Sequence, residues 1–153
     1  MANVTALCTS FKADLLNGYH AFNGTYRTAD TFKGALYLQT GSLGAATTTY
    51  STTNEVQTGS GTTGYTAGGN TLTSWATIST SGGSGTTAYT TPANLVWTSL
   101  VVTAYFDGLL IYNSTQANKA VATFYLGAEY TVNGTFTVTM PGNAYNTALI
   151  QLA

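Results

Sequence analysis

Apolar and polar residues recur with two different periods along this chain. In residues 5–16, Leu7, Phe11 and Leu15 stand at i, i+4 and i+8, with Cys8 and Leu16 flanking the stripe. That is helical spacing. Asn3 or Thr5 can cap the start, and Asn17-Gly18 is a natural stop, because Gly tolerates the left-handed conformation just past a helix. The pattern predicts one short amphipathic helix at about residues 5–17. A helix of ~12 residues is marginal alone in water, so it has to dock on a sheet or on a partner.

From Thr31 onward the period drops to two, and turn residues punctuate short runs. The candidate strands are Gly34–Thr40, Thr71–Ser79, Thr86–Thr91, Asn94–Thr98, Leu100–Phe106, Leu109–Asn113, Ala120–Leu126, Tyr130–Val132, Thr135–Met140 and Thr147–Leu152. Asn133-Gly134 sits between alternating segments and predicts a structural turn of type I′, which needs φ > 0 at both centres. Pro141-Gly142-Asn143 breaks the ladder before a closing strand. Short strands with frequent turns predict an all-β, antiparallel sandwich or jelly-roll-like domain over residues 1–153, with the one short N-terminal helix. Residues 57–70 and 79–87, rich in Gly, Thr and Ser, read as loops.

Composition sharpens this picture. The 153 residues include 32 Thr, 17 Gly, 11 Tyr and 11 Asn. Thr and Tyr suit pleated, half-buried strands, whereas Gly and Asn suit turns. Only 6% of residues are charged, against roughly 25% in an ordinary domain. The 44% apolar content sets the chain apart from disordered polymers. Four Lys and Arg make no basic stripe, so direct nucleic-acid binding is not expected. No apolar run approaches the ~20 residues that span a bilayer, so no membrane partner is expected either. The N-terminus lacks a basic n-region and a clean h-region, which argues against a secretory signal. A net charge of −1 gives almost no repulsion between copies, and such chains tend to associate.

Material for chemistry is scarce. Gly59 to Gly64 matches GxGxxG, but no βαβ pattern, following helix or acidic residue about 20 positions on supports dinucleotide binding. Cys8, Asp14 and His20 supply the residue types of a thiol triad, which needs nucleophile and base within hydrogen-bond reach. A packed Cys8 and a surface His20 in the turn after the helix is the better reading. No spacing suits a metal, and nothing calls for a cofactor. Four Asn-x-Thr/Ser sequons, at Asn3, Asn23, Asn113 and Asn133, are expected by chance in so Asn- and Thr-rich a chain. Aromatic residues are the richer signal. Trp75, Trp97, Phe106, Phe124 and Phe136 lie in predicted strands, while Tyr50, Tyr65, Tyr89 and Tyr145 lie in or beside polar loops. A loop Tyr either folds back on its own domain or, with its apolar body and polar tip, serves an interface.

Several segments, in order, resemble small tailed-bacteriophage virion structural proteins, most closely head decoration or capsid cement proteins. They are Phe11-Lys12-Ala13-Asp14-Leu15-Leu16-Asn17-Gly18 with His20-Ala21-Phe22, TFKGALYL from Thr31, AATTTYSTTNEV from Ala45 and GYTAGGNTLT from Gly64. Leu110-Ile111-Tyr112-Asn113, Asn118-Lys119-Ala120-Val121-Ala122 and Ala148-Leu149-Ile150 continue the match. The chain departs from that pattern at Leu109, where a smaller Ala is common, and at Thr123-Phe124-Tyr125, where acidic residues are common. The resemblance implies a non-enzymatic protein on the outer capsid surface, with the major capsid protein for a partner. It brings no catalytic residues. A homotrimer is the expected form, since closed cyclic symmetry would match a three-fold joint between capsomers. Phe11, Leu15, Phe22, Tyr50, Tyr65, Tyr89 and Tyr145 are then the candidate interface, with the helix as a latch. The alternatives are a tail or fibre component, and a carbohydrate-binding β-sandwich stacking sugars on Tyr50, Tyr65 and Trp75. An exposed platform of those rings would favour the sugar reading.

Overall fold

The computed structural model describes residues 2–57, 61–82 and 85–153. The elements run β1 (Ala6–Leu7), α1 (Thr9–Leu16), β2 (Phe32–Leu38), β3 (Asn70–Leu72), β4 (Ala88–Thr90), β5 (Leu95–Asn113), β6 (Lys119–Val138) and β7 (Ile150–Leu152). Five strands form one antiparallel sheet in the order β1-β6-β5-β2-β3, and β4 pairs with β7 in a separate two-stranded sheet. The fold is all-β with one short helix. One apolar core takes Phe11 from the helix, Leu36 from β2, Trp97 and Ile111 from β5, Val121 from β6 and Ile150 from β7.

The sheet is built on a single long hairpin. Six of the segments expected as separate strands fuse into β5, of 19 residues, and β6, of 20. The turn signals between those segments survive as bulges. Trp97 pairs with Phe136 and Leu100 with Gly134, so Thr98 and Ser99 together face Thr135, and Ser99 takes φ 55°. Phe106 pairs with Tyr130 and Gly108 with Tyr125, so 126–129 bulges out around Gly127, at φ 88°. Bulges of this kind bend a strand without ending it.

Asn133-Gly134 is therefore not a turn. Asn133 pairs with Val101 and Gly134 with Leu100, in the middle of the ladder. A turn there would fold Tyr130–Val132 back on Thr135–Val138 and pack those residues mainly on each other. Continuing along β5 instead sets Phe136 against Phe106 at 5.2 Å and against Trp97 at 6.3 Å, ring centre to ring centre. Burial over the core outweighs the local preference. The real turn spans 114–118. There Asn113 Oδ1 accepts the N–H groups of Thr115 and Gln116 at 3.1 Å each, and Ala117 and Asn118 take φ 50° and 58°.

The helix also differs from its expected form at the N-terminal end. Leu7 belongs to β1, and the residue before the helix is Cys8, which makes no side-chain cap. Its leading N–H groups are met by the sheet and a loop instead: Cys8 N–H donates to Val121 and Thr9 N–H to Ala45. Asn3 is buried elsewhere, donating to Asp107 Oδ1 at 2.6 Å and to the Leu38 carbonyl at 2.9 Å. The stop at Asn17-Gly18 is as expected, with Gly18 at φ 71°. Leu16, expected beside the apolar stripe, is 91% exposed. Of the predicted strand Thr71–Ser79, Thr71 and Leu72 lie in β3, and beyond them Ser79 bridges Tyr89 while Ala76 N–H donates to the Thr91 carbonyl.

Candidate functional site

Chemistry-bearing side chains gather in two buried networks. The first lies under α1. Lys119 Nζ donates to Asp14 Oδ1 at 2.8 Å, and His20 Nε2 faces Asp14 Oδ2 at 3.9 Å. Asn113 Nδ2 lies 3.0 Å from His20 Nδ1 and donates to Asp30 Oδ2 at 2.8 Å. Arg27 closes the other side of Asp30 at 3.0 Å. The His20 ring is wholly buried against Phe11, at 4.9 Å, so the expected surface histidine is a core one. Burial pulls its pKa below the ordinary 6.5, although Asp14 and Asp30 pull the other way. The ring is neutral at neutral pH, so its approach to Asp14 is not an ion pair. Burial raises the pKa of Asp30, but the Ala21 N–H, Asn113, Gln116 and Arg27 together outweigh it and leave the pKa low.

Asp14 and His20 are thus neighbours, as a triad requires, but the thiol does not fit the role. Cys8 is fully buried and its pKa is pushed up to about 11 by burial. At neutral pH it is a thiol rather than the nucleophilic thiolate. The network ties the helix, the 18–30 segment and the β5–β6 turn together.

The second network centres on Glu55, which the sequence reading assigned no role. Tyr50 donates to Oε2 at 2.6 Å, while Tyr65 at 2.8 Å and the Gly68 N–H at 2.6 Å donate to Oε1. Tyr112 donates to the Gly68 carbonyl at 2.9 Å and stacks on Tyr50 with centroids 4.6 Å apart. Tyr37 donates to the Ser51 carbonyl. Burial first, and the neighbouring carboxylate second, raise the Tyr112 pKa to about 12, and those of Tyr50 and Tyr65 rise as well. All three therefore stay protonated. Only the cluster of tyrosines around one acid in otherwise neutral loops hinted at this arrangement.

The candidate interface residues divide. Phe11, Phe22, Tyr65 and Tyr89 are buried within the chain, Phe22 and Tyr89 at the wall of a cleft. Leu15 and Tyr50 are half-buried against the core. Tyr145 is 41% exposed. The rings weighed for sugar stacking do not share an exposed platform: Tyr65, 2% exposed, lies over Trp97, Tyr50 over Tyr112, and Trp75 against Phe22 and Phe32. Leu15, Phe22, Tyr26, Ile78, Tyr89 and Leu152 line an apolar cleft of about 290 Å³. In the GxGxxG stretch, Gly59 and Ser60 lie outside the described residues. Thr63 pairs with Val101, and no helix follows in residues 61–82.

The outer half of β6 supplies the other open surface. Leu126, Tyr130, Val132, Phe136 and Val138 are only half-buried, and Thr131, Asn133, Thr135 and Thr137 are exposed. Two apolar hollows of about 410 and 270 Å³ adjoin it, sharing Leu126 and Val138. Charge is absent from residues 130–138 and sparse elsewhere, where Lys12 and Arg27 are exposed and Lys33 and Lys119 half-buried. Asp14, Asp30, Glu55 and Asp107 are buried, which leaves Glu129 as the one exposed carboxylate.

No family model, curated protein or solved structure matches this chain.

Proposed function

We propose that this chain is a non-enzymatic structural component of a tailed-phage particle, of the head decoration type, which binds the outer shell and bridges major capsid subunits. The observation that carries the reading is the lone exposed carboxylate, Glu129, on a surface with half-buried apolar strands. A net charge of −1 and so few exposed charges leave little repulsion to keep copies apart. Such a surface suits a life spent against neighbours. The resemblance of segments such as TFKGALYL and GYTAGGNTLT supplies the setting.

Bridging works by area and repetition. An interface of ordinary size buries about 800 Å² per partner, and simultaneous engagement of several shell subunits adds avidity. The test compares particles carrying this chain with particles made without it, in a heat ramp with a DNA-binding dye. Particles without it are expected to assemble yet release DNA at a lower temperature. Equal release temperatures with normal infectivity overturn the reading. Equal release with defective adsorption moves the protein to the tail.

A further inference from the structure

We infer that the outer edge of β6, residues 130–138, pairs antiparallel with the same edge of a second copy about a two-fold axis. β1 covers β6 only at Ala122 and Thr123, and Thr5 Oγ1 takes the Tyr125 N–H. Beyond that point, among the described residues, the backbone of 127–138 bonds to no segment other than β5. An edge of this length, with its N–H and C=O groups unpaired, is a template for another strand. Residues 130–138 contain no Lys and no Pro, the residues that usually blunt such edges.

Symmetry decides the occupant. A three-fold ring needs the β6 edge to meet a different edge of comparable length. The far edge of the sheet is β3, and the small sheet consists of β4 and β7, each of three residues. The opposite edge of the hairpin, residues 95–105 of β5, is interrupted by Asn70 at Val96, Thr63 at Val101 and Gln39 at Tyr105. The β6 edge is the long uninterrupted one, and its match in length is itself, which gives an isologous dimer. Charge permits it: Glu129 is the sole charged residue in 125–138. A two-fold at Asn133 sets Glu129 across from Thr137 and Thr131 across from Thr135, so like charges do not meet.

Area decides how much surface takes part. Nine residues span about 30 Å, and a sheet about 10 Å thick then offers roughly 300 Å² per copy. A stable interface needs about 800 Å² per partner. The remainder falls to the apolar hollows beside the strand, with Phe124, Leu126, Met140 and Leu149. Strand pairing supplies register, and the hollows supply burial.

The isolated full chain tests this without any shell, so a failure here is separable from a failure of the decoration reading. Sedimentation should give a dimer that survives high salt and reductant. Thr131→Lys with Thr135→Lys places like charges across the two-fold and should weaken dimerisation about tenfold or more, with the circular dichroism spectrum kept. A nitroxide on Asn133→Cys should show a close intermolecular dipolar contact, and one on Thr25→Cys in the distant 20s loop should not. A monomer, a trimer, or a dimer indifferent to both Lys substitutions and silent at the nitroxide overturns the inference.

Discussion

The Tyr65 hydroxyl donates to Glu55 Oε1 at 2.8 Å while accepting the Leu36 N–H at 3.0 Å. One phenol thereby joins a buried carboxylate in a loop to strand β2 of the main sheet. Removing it strands two groups at once. Tyr65→Phe leaves the Leu36 N–H without that acceptor and takes a donor from the charge, so it should cost about 1–3 kcal/mol. Urea unfolding with an unchanged m-value checks this. A loss within experimental scatter would mean that the phenol does not bridge the two.

The position of the hairpin turn gives a test by sign. Ala117 occupies the left-handed region at φ 50°. Strain there is about 1–2 kcal/mol for an L-residue, against about 0.4–1 kcal/mol of unfolded-state entropy gained by Gly. Ala117→Gly should therefore raise the melting temperature slightly. Were the turn at Asn133-Gly134, the same change could only lower it.

Gly134 keeps a conformational role in the ladder, at φ 139°, with open space around it. Gly134→Val should cost about 1–3 kcal/mol through backbone strain, not through a clash. Gly134→Ala should cost nearly as much, because φ and not volume is the constraint. Parallel melts of the two variants decide it, and a large gap between them refutes the strain account.

Stability should fall as pH drops below the ordinary histidine value of 6.5. The His20 pKa is lower in the folded protein, so the unfolded chain takes up the proton first. Its contribution is complete above that value and is lost as pH falls toward the folded pKa. Asp14, Asp30, Lys119 and Arg27 all face this ring. Asp30, with a pKa below 3.8, contributes a separate loss only at more acid pH. Melting temperatures from neutrality to pH ~5 should decline in the natural chain and decline less in His20→Gln.

Cys8 should resist alkylation in the folded protein at mildly alkaline pH, since the thiol is buried and titrates only at about 11. Labelling should follow unfolding, so its rate should climb steeply with urea. Fast labelling of the native chain would place Cys8 outside the core.

What the sequence determined by itself was local: the all-β class, the helix stop at Asn17-Gly18, and most places where the strands are interrupted. These rest on propensities and on residues that tolerate φ > 0, both legible within a few positions. Tertiary structure decided whether an interruption became a turn or a bulge. Asn133-Gly134 carries the stronger turn signal, yet 114–118 makes the turn, because pairing β6 along the whole of β5 places Tyr130 and Phe136 over Phe106. Folding alone also made His20 a core residue and Glu55 the centre of a tyrosine cluster. Their partners, Asn113 and Tyr65 among them, come from other segments, and no local pattern records which polar side chains will be buried together. The bareness of the β6 edge belongs to the same class: β1 stops after two residues and leaves it uncovered, a property of the sheet and not of the strand.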